Sequence, residues 1–125
     1  MSPSEVTYID ARPSIEVADL DAALAFWTEV VGFETEVVMG EPPFFALVGQ
    51  GGARLGLART DDPVLPTIAP VFVTLRHLDL LVQRLADAGL ALESEPTTRP
   101  WGIRDLVVRC PGDGPLIAFG EEVSP

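Results

Sequence analysis

The sequence has no lysine, one histidine (His77), one cysteine (Cys110) and no apolar run long enough to cross a bilayer. Each shortage excludes something. A lone cysteine cannot close an internal disulfide, which fits a reducing cytoplasm. A membrane helix needs about 20 consecutive apolar residues. The opening stretch MSPSEVTYIDARPS is polar and acidic, with no basic start leading into an apolar segment, so it is not expected to act as a signal peptide. All eight cations are arginines, at 12, 54, 59, 76, 84, 99, 104 and 109, against nineteen acids, for a net charge of −11. A phosphate-binding face needs clustered cations, so neither nucleic acid nor a membrane surface is an expected partner. The acidic balance admits a cationic ligand, and it also serves solubility alone. With one histidine no Ser-His-Asp set can be placed. Gly-Gln-Gly-Gly at 49–52 lacks the Lys-Ser/Thr that follows in a phosphate loop.

Against these shortages stands a chain of 125 residues, 47% of them hydrophobic. That length suits one ordinary domain with a core of its own. Residues 11–33 carry the clearest pattern. Ile15 and Val17 alternate with Ser14 and Glu16, the period of a half-buried strand. Asp19 can accept from the free backbone N–H groups that open a helix. Leu20, Leu24, Trp27 and Val31 recur at helical spacing, and Gly32 supplies the left-handed residue that ends it. The pattern returns at an offset of 58 residues: Val73 and Leu75 alternate, Leu78, Leu81, Val82 and Leu85 form a second stripe, and Gly89 stops it. Such self-similarity points to structural duplication.

Strand-like segments follow each helix, at 34–39, 44–48 and 54–58 and again at 90–95, 104–109 and 116–119, with turns at Gly51-Gly52 and at 111–114. The stretch from Arg59 to Pro70, with three prolines and two adjacent aspartates, reads as a connector. The expectation is a single α+β domain of two tandem βαβββ modules forming a cupped, barrel-like mixed sheet with the helices outside. Module 1 covers about 10–58, the connector 59–69 and module 2 about 70–122. Each half has one helix to cover one sheet, so two bare faces curled around a shared cavity would make a ligand site by architecture.

The run IEVADLDAALAFWTEVVGF at 15–33 resembles the first-module signature of the vicinal oxygen chelate superfamily, the glyoxalase / bleomycin resistance protein / dioxygenase superfamily. WGIRDLVVR at 101–109, its Pro-Gly-Asp-Gly turn and LIAF at 116–119 resemble that family's last two strands, most of all in bleomycin-resistance-like members. The resemblance implies a cupped sheet, often completed by a second chain. It also implies a four-position metal cup, filled in the enzyme members by His, Glu or Gln. Here those positions fall on Arg12, Gly56, Pro70 and Ala118, none of which can donate a side-chain lone pair to a divalent metal. No metal and no cofactor are therefore expected, and the reading leans away from an enzyme.

Candidate ligand contacts follow. Trp101, between Pro100 and Gly102, can stack on a flat ligand ring; it can equally close the barrel end or touch a partner chain. Phe44 and Phe45 point to opposite sides of a strand, one to the core and one to the cavity. Phe72 lies opposite Val71 and Val73, which face the second helix, and is a cavity candidate. Arg12, Ser14 and Glu16 share a face that the resemblance turns into the cup, where Arg12 or Glu16 could anchor a polar group or pair internally. Asp105, Val107 and Arg109 form a similar face. Trp27 is a core residue by position, with Phe26 beside it facing a sheet or a partner chain. His77 is a surface or capping residue and Cys110 a buried thiol. The expected function is metal-free binding of a small, partly aromatic compound, cationic if the charge balance matters, as in antibiotic sequestration. The alternative is a lyase, isomerase or ring-cleaving enzyme working through divergent ligands or carboxylates. A cytoplasmic homodimer is expected, with apolar residues of the first helix flank or of strand faces such as Phe44 and Phe45 at the contact and the segment before Arg12, with Pro3 and Pro13, crossing to the partner.

Overall fold

The computed structural model describes residues 5–123; Pro3 lies outside them. Strand β1 (Ser14–Val17) leads through Asp19 into α1 (Leu20–Ala25) and a π-helical continuation (Phe26–Val31). Then come β2 (Glu34–Met39), β3 (Phe45–Gln50) and β4 (Ala53–Arg59). The second half repeats the order with β5 (Val71–Thr74), α2 (Leu78–Asp87), β6 (Leu92–Thr98), β7 (Ile103–Arg109) and β8 (Leu116–Glu122). The strands form two four-stranded sheets, β1-β4-β3-β2 and β5-β8-β7-β6. In each, the first pair is parallel and the others antiparallel. The shared order is the duplication written in backbone.

Local chemistry explains the boundaries. The Asp19 carboxylate accepts from Ala22 N at 3.1 Å, opening α1. Gly32, at φ 95, ends the helical run, where a Cβ would be strained. The run does not stay α-helical as the spacing predicts. From Phe26 it widens, and the Thr28 hydroxyl occupies the Leu24 carbonyl at 2.8 Å. The widened turn buries Phe26 and Trp27 together, so Phe26 is a core residue and faces no partner. Strand β3 runs past the expected end, because Gly49 and Gln50 pair with Arg54 and Ala53 up to the two-glycine turn. Strand β6 starts late because Leu90 N still bonds back to Leu85 O. It then continues through Pro96, which an edge strand tolerates.

Helix α2 is capped from afar. His77, at φ 66, offers no side-chain cap. Glu121 Oε2 instead accepts from His77 N at 3.0 Å and Leu78 N at 3.4 Å. A carboxylate there also meets the positive end of the helix dipole.

The expected α+β class and tandem βαβββ order are present, and the sheets do not close into a barrel. The two sheets are separate, and they meet through one hydrophobic cluster that takes side chains from both helices and from one face of each sheet. Ile15, Val17, Leu55 and Leu57 supply it from the first sheet, and Leu106, Val108, Ile117 and Phe119 from the second. Trp27 packs on Phe119 with ring centroids 5.8 Å apart, joining the halves. Two sheets that each turn one face to the same core turn their other faces outward. One chain therefore does not wrap its bare faces around a shared cavity.

Candidate functional site

The outward faces are set by alternation and pairing. On the first sheet Ser14, Gly56, Leu47 and Val37 form one row across the strands, and Glu16, Ala58, Phe45 and Met39 the next. On the second sheet the matching rows are Phe72, Ala118, Val107 and Ser94, then Thr74, Gly120, Asp105 and Thr97. Rings roof the small residues. A side chain at Gly56 would collide with Ser14 Oγ and stand 3.0 Å from the Phe45 ring. One at Gly120 would meet the Phe72 ring at 2.5 Å. Each floor is thus a glycine or alanine beneath a phenylalanine, which is an apolar aromatic surface with little backbone relief.

The structure redistributes the sequence candidates. Phe45 is half-buried on the outward face, whereas Phe44 lies ahead of β3 and is 53% exposed. Neither enters the core, contrary to the alternation expected of a strand that includes both. Arg12 is also corrected. It precedes β1 rather than sharing its face, is exposed, and pairs with Asp10 at 3.4 Å. Glu16 is on the outward face, but its Oε1 accepts from Val64 N at 2.8 Å and ties down the connector. Asp105 is held by Arg99 through Nε at 3.2 Å and Nη2 at 3.1 Å. Phe72 is 50% exposed beside it. Trp101 is 72% exposed on the β6–β7 turn. That turn is closed by Gly102 N donating to Arg99 O at 3.1 Å, with Gly102 at φ 86.

The candidates thus fall into two groups. Phe45 and Glu16 lie on one sheet; Phe72 and Asp105 lie on the other, with Trp101 and Gly102 on its turn. Sequence reading missed Arg99, whose partner stands across a hairpin six positions on, and Glu121, whose partners are more than forty residues away.

These faces do not suit a divalent metal. Pairing places Ser14 beside Gly56 and Phe72 beside Ala118, while Arg12 and Pro70 stand two residues earlier, outside the strands. Of these six residues only Ser14 offers a side-chain lone pair, and a neutral hydroxyl is a poor ligand for zinc or iron. Among the described residues no three His, Cys, Asp or Glu side chains come together. Cys110 is buried, and desolvation pushes its thiol up to about 11, against a smaller opposing pull from the Trp27 side chain. A thiol so poor in thiolate is a weak nucleophile at neutral pH. Among the described residues no helix is long and apolar enough to cross a membrane.

Comparison with known proteins adds the following. Residues 11–119 match the family model described as the Glyoxalase/Bleomycin resistance protein/Dioxygenase superfamily. No curated protein matches. Among solved structures, TioX from Micromonospora sp. ML1 superposes with a TM-score of 0.73 at 23% identity, over 90% of this chain and 97% of that one. The bleomycin-binding protein of Streptomyces verticillus, complexed with copper(II)-bleomycin, gives 0.68 at 21% identity, over 97% and 100%. Lactoylglutathione lyase from Agrobacterium tumefaciens gives 0.69 at 19%, over 96% and 95%. At these identities the likeness is one of fold.

Proposed function

The chain belongs to the glyoxalase/bleomycin resistance protein/dioxygenase superfamily, and from that membership we propose that it binds a small, partly aromatic compound on its outward faces without a metal or other cofactor. The observation that carries this reading is the floor chemistry: Gly56 and Ala118 under and beside phenylalanine rings, where a metal enzyme of this fold would need donor side chains. Aromatic rings over a glycine floor favour a flat ligand. The net charge of −11 favours a cation. Copper(II)-bleomycin, held by the Streptomyces verticillus protein, is a suitable first probe. The lyase of Agrobacterium tumefaciens keeps an enzymatic reading in view. Here, however, Glu16 and Asp105 are engaged by Val64 N and Arg99 and have little freedom to move a proton. Sequestration in the cytoplasm is the function we assign.

Trp101 carries the test. In a fluorescence titration with copper(II)-bleomycin and a panel of planar cationic compounds, Trp101→Ala is expected to weaken binding by about 1–3 kcal/mol, as loss of a stacking platform does. Melting should change little, since the side chain lies outside the core. Submillimolar binding by the parent chain and its loss in the variant support the reading. No binding by any panel member would remove its basis.

We also propose that a second copy of the chain completes the site. The outward faces lie on opposite sides of one core, and edge strand β2 leaves Val37, Val38 and Met39 exposed beside Phe44. An open apolar edge of this kind invites pairing. Light scattering at micromolar concentration should return twice the 13.4 kDa chain mass. The single-chain mass would refute the dimer.

A further inference from the structure

A recess lies beside the outward face of the second sheet, and Phe72 and Thr74 of that face line it. It is a cleft of 910 Å³ between the β3–β4 hairpin on one wall and β5 with the start of α2 on the other. Its accessible apolar lining includes Val31, Leu75 and Leu80, with buried Phe33 and Val71 behind them. The duplication explains why it is open. At the matching joint, the longer β7–β8 turn docks on the β1–α1 corner, where Gly112 O accepts from Ala18 N at 2.8 Å and Asp19 N at 3.1 Å. The two-glycine turn of the first half has no such docking bond among the described residues.

The charge of this cleft is opposite to that of the molecule. The chain has nineteen acids and eight arginines. Yet no residue lining the cleft is acidic, and Arg54, Arg76 and Arg84 line it together with His77. Arg54 is compensated by Glu36 at 2.8 Å. Arg76 and Arg84 have no carboxylate partner among the described residues, unlike Arg12, Arg54, Arg59, Arg99 and Arg104. Arg84 makes only a 3.4 Å contact to Val31 O. Two uncompensated guanidinium groups at the edge of an apolar recess recognise an anion well. The fork geometry fits a carboxylate or sulfonate, and apolar walls strengthen the attraction.

We propose that this cleft is a second binding site, taking a small organic anion with its apolar body against Val31, Leu75 and Leu80 and its charged head at the rim that carries Arg76 and Arg84. Trp101, Phe45, Glu16 and Asp105 do not line it, and Phe72 stands on the boundary with the outward face. Apart from the shared boundary residue Phe72, an anion here and a cationic aromatic compound outside are recognised by different residues.

The test uses two dyes with the same apolar body. 1-Anilinonaphthalene-8-sulfonate is the anion, and N-phenyl-1-naphthylamine lacks the sulfonate. The sulfonate is expected to bind saturably to the folded chain, at least about tenfold more tightly than the neutral dye. An Arg76→Gln/Arg84→Gln double variant should lose about that factor for the sulfonate only, with an unchanged melting curve. Arg59→Gln, which also removes an exposed arginine but lies outside the cleft, should keep the sulfonate affinity. Decanoate should displace the sulfonate from the unmodified protein, and decanol should not. Equal affinity for the two dyes, equal behaviour of the double variant and Arg59→Gln, or displacement by decanol as readily as by decanoate would overturn the proposal.

Discussion

Replacing Trp27 by alanine is expected to destabilise the fold by about 3–5 kcal/mol, the cost of emptying a large aromatic site that cannot collapse. Trp27 has 0% of its surface exposed. Its ring meets Phe26 edge-on at 5.4 Å, Phe33 at 5.2 Å and Phe119 at 5.8 Å. Because Phe119 belongs to the second sheet, the cavity would open at the seam between the halves and weaken both. A loss of this size corresponds to a drop in melting temperature of roughly 10–20 °C. Trp27→Phe separates volume from polarity. Among the described residues the indole N–H meets no partner with hydrogen-bond geometry and exerts only a weak pull on the Cys110 thiol, so a smaller ring without it should recover much of the loss. Thermal melts on both variants check this. A silent Trp27→Ala, or a Trp27→Phe as damaging as the alanine, would mean that packing at the seam has been misjudged.

The other large effect is expected at Gly112. Its φ is 84, and a Cβ would run into the Asp19 carbonyl oxygen and stand 3.3 Å from Ala23 N. Both obstacles are backbone, so nothing flexible can give way. Gly112→Ala should cost about 2–4 kcal/mol through left-handed strain and overpacking together. It should also loosen the docking of the β7–β8 turn on the first half. Gly52 is the control. It has no neighbour within 4 Å and no positive φ, so Gly52→Ala should stay within about 0.5 kcal/mol. Urea melts that return equal midpoints for the two variants would contradict the role given to the turn.

These sites show where sequence reading succeeds and where it stops. The β1–α1 corner was legible because its determinants are local. Ile15 and Val17 alternate within four residues, Asp19 caps three residues ahead, and Gly32 ends the run where its conformation is needed. The repeat at Val73, Leu78 and Gly89 was legible for the same reason. Periodicity does not encode how the two halves meet. Both stripes face one core, so the bare faces point outward rather than around one cavity. The π-helical turn arises from burying Phe26 beside Trp27, which a 3.6-residue period does not anticipate. Alternation could tell that neighbours diverge but not where a strand begins. Phe44 thus fell outside β3, and Arg12 outside β1. The long-range partners of Glu121 and Glu16 leave no local trace. Composition signalled an acidic surface, but only the fold gathers Arg54, Arg76 and Arg84 around one cleft.

The chain is proposed to bind its ligand without a metal. That proposal is tested most directly by elemental analysis of the protein purified without chelator. The floor residues Ser14, Gly56, Phe72 and Ala118 lead to an expected content of zinc, nickel, manganese and iron far below one equivalent per chain, unchanged after dialysis against each metal. One equivalent of any of them, retained through gel filtration, would contradict it.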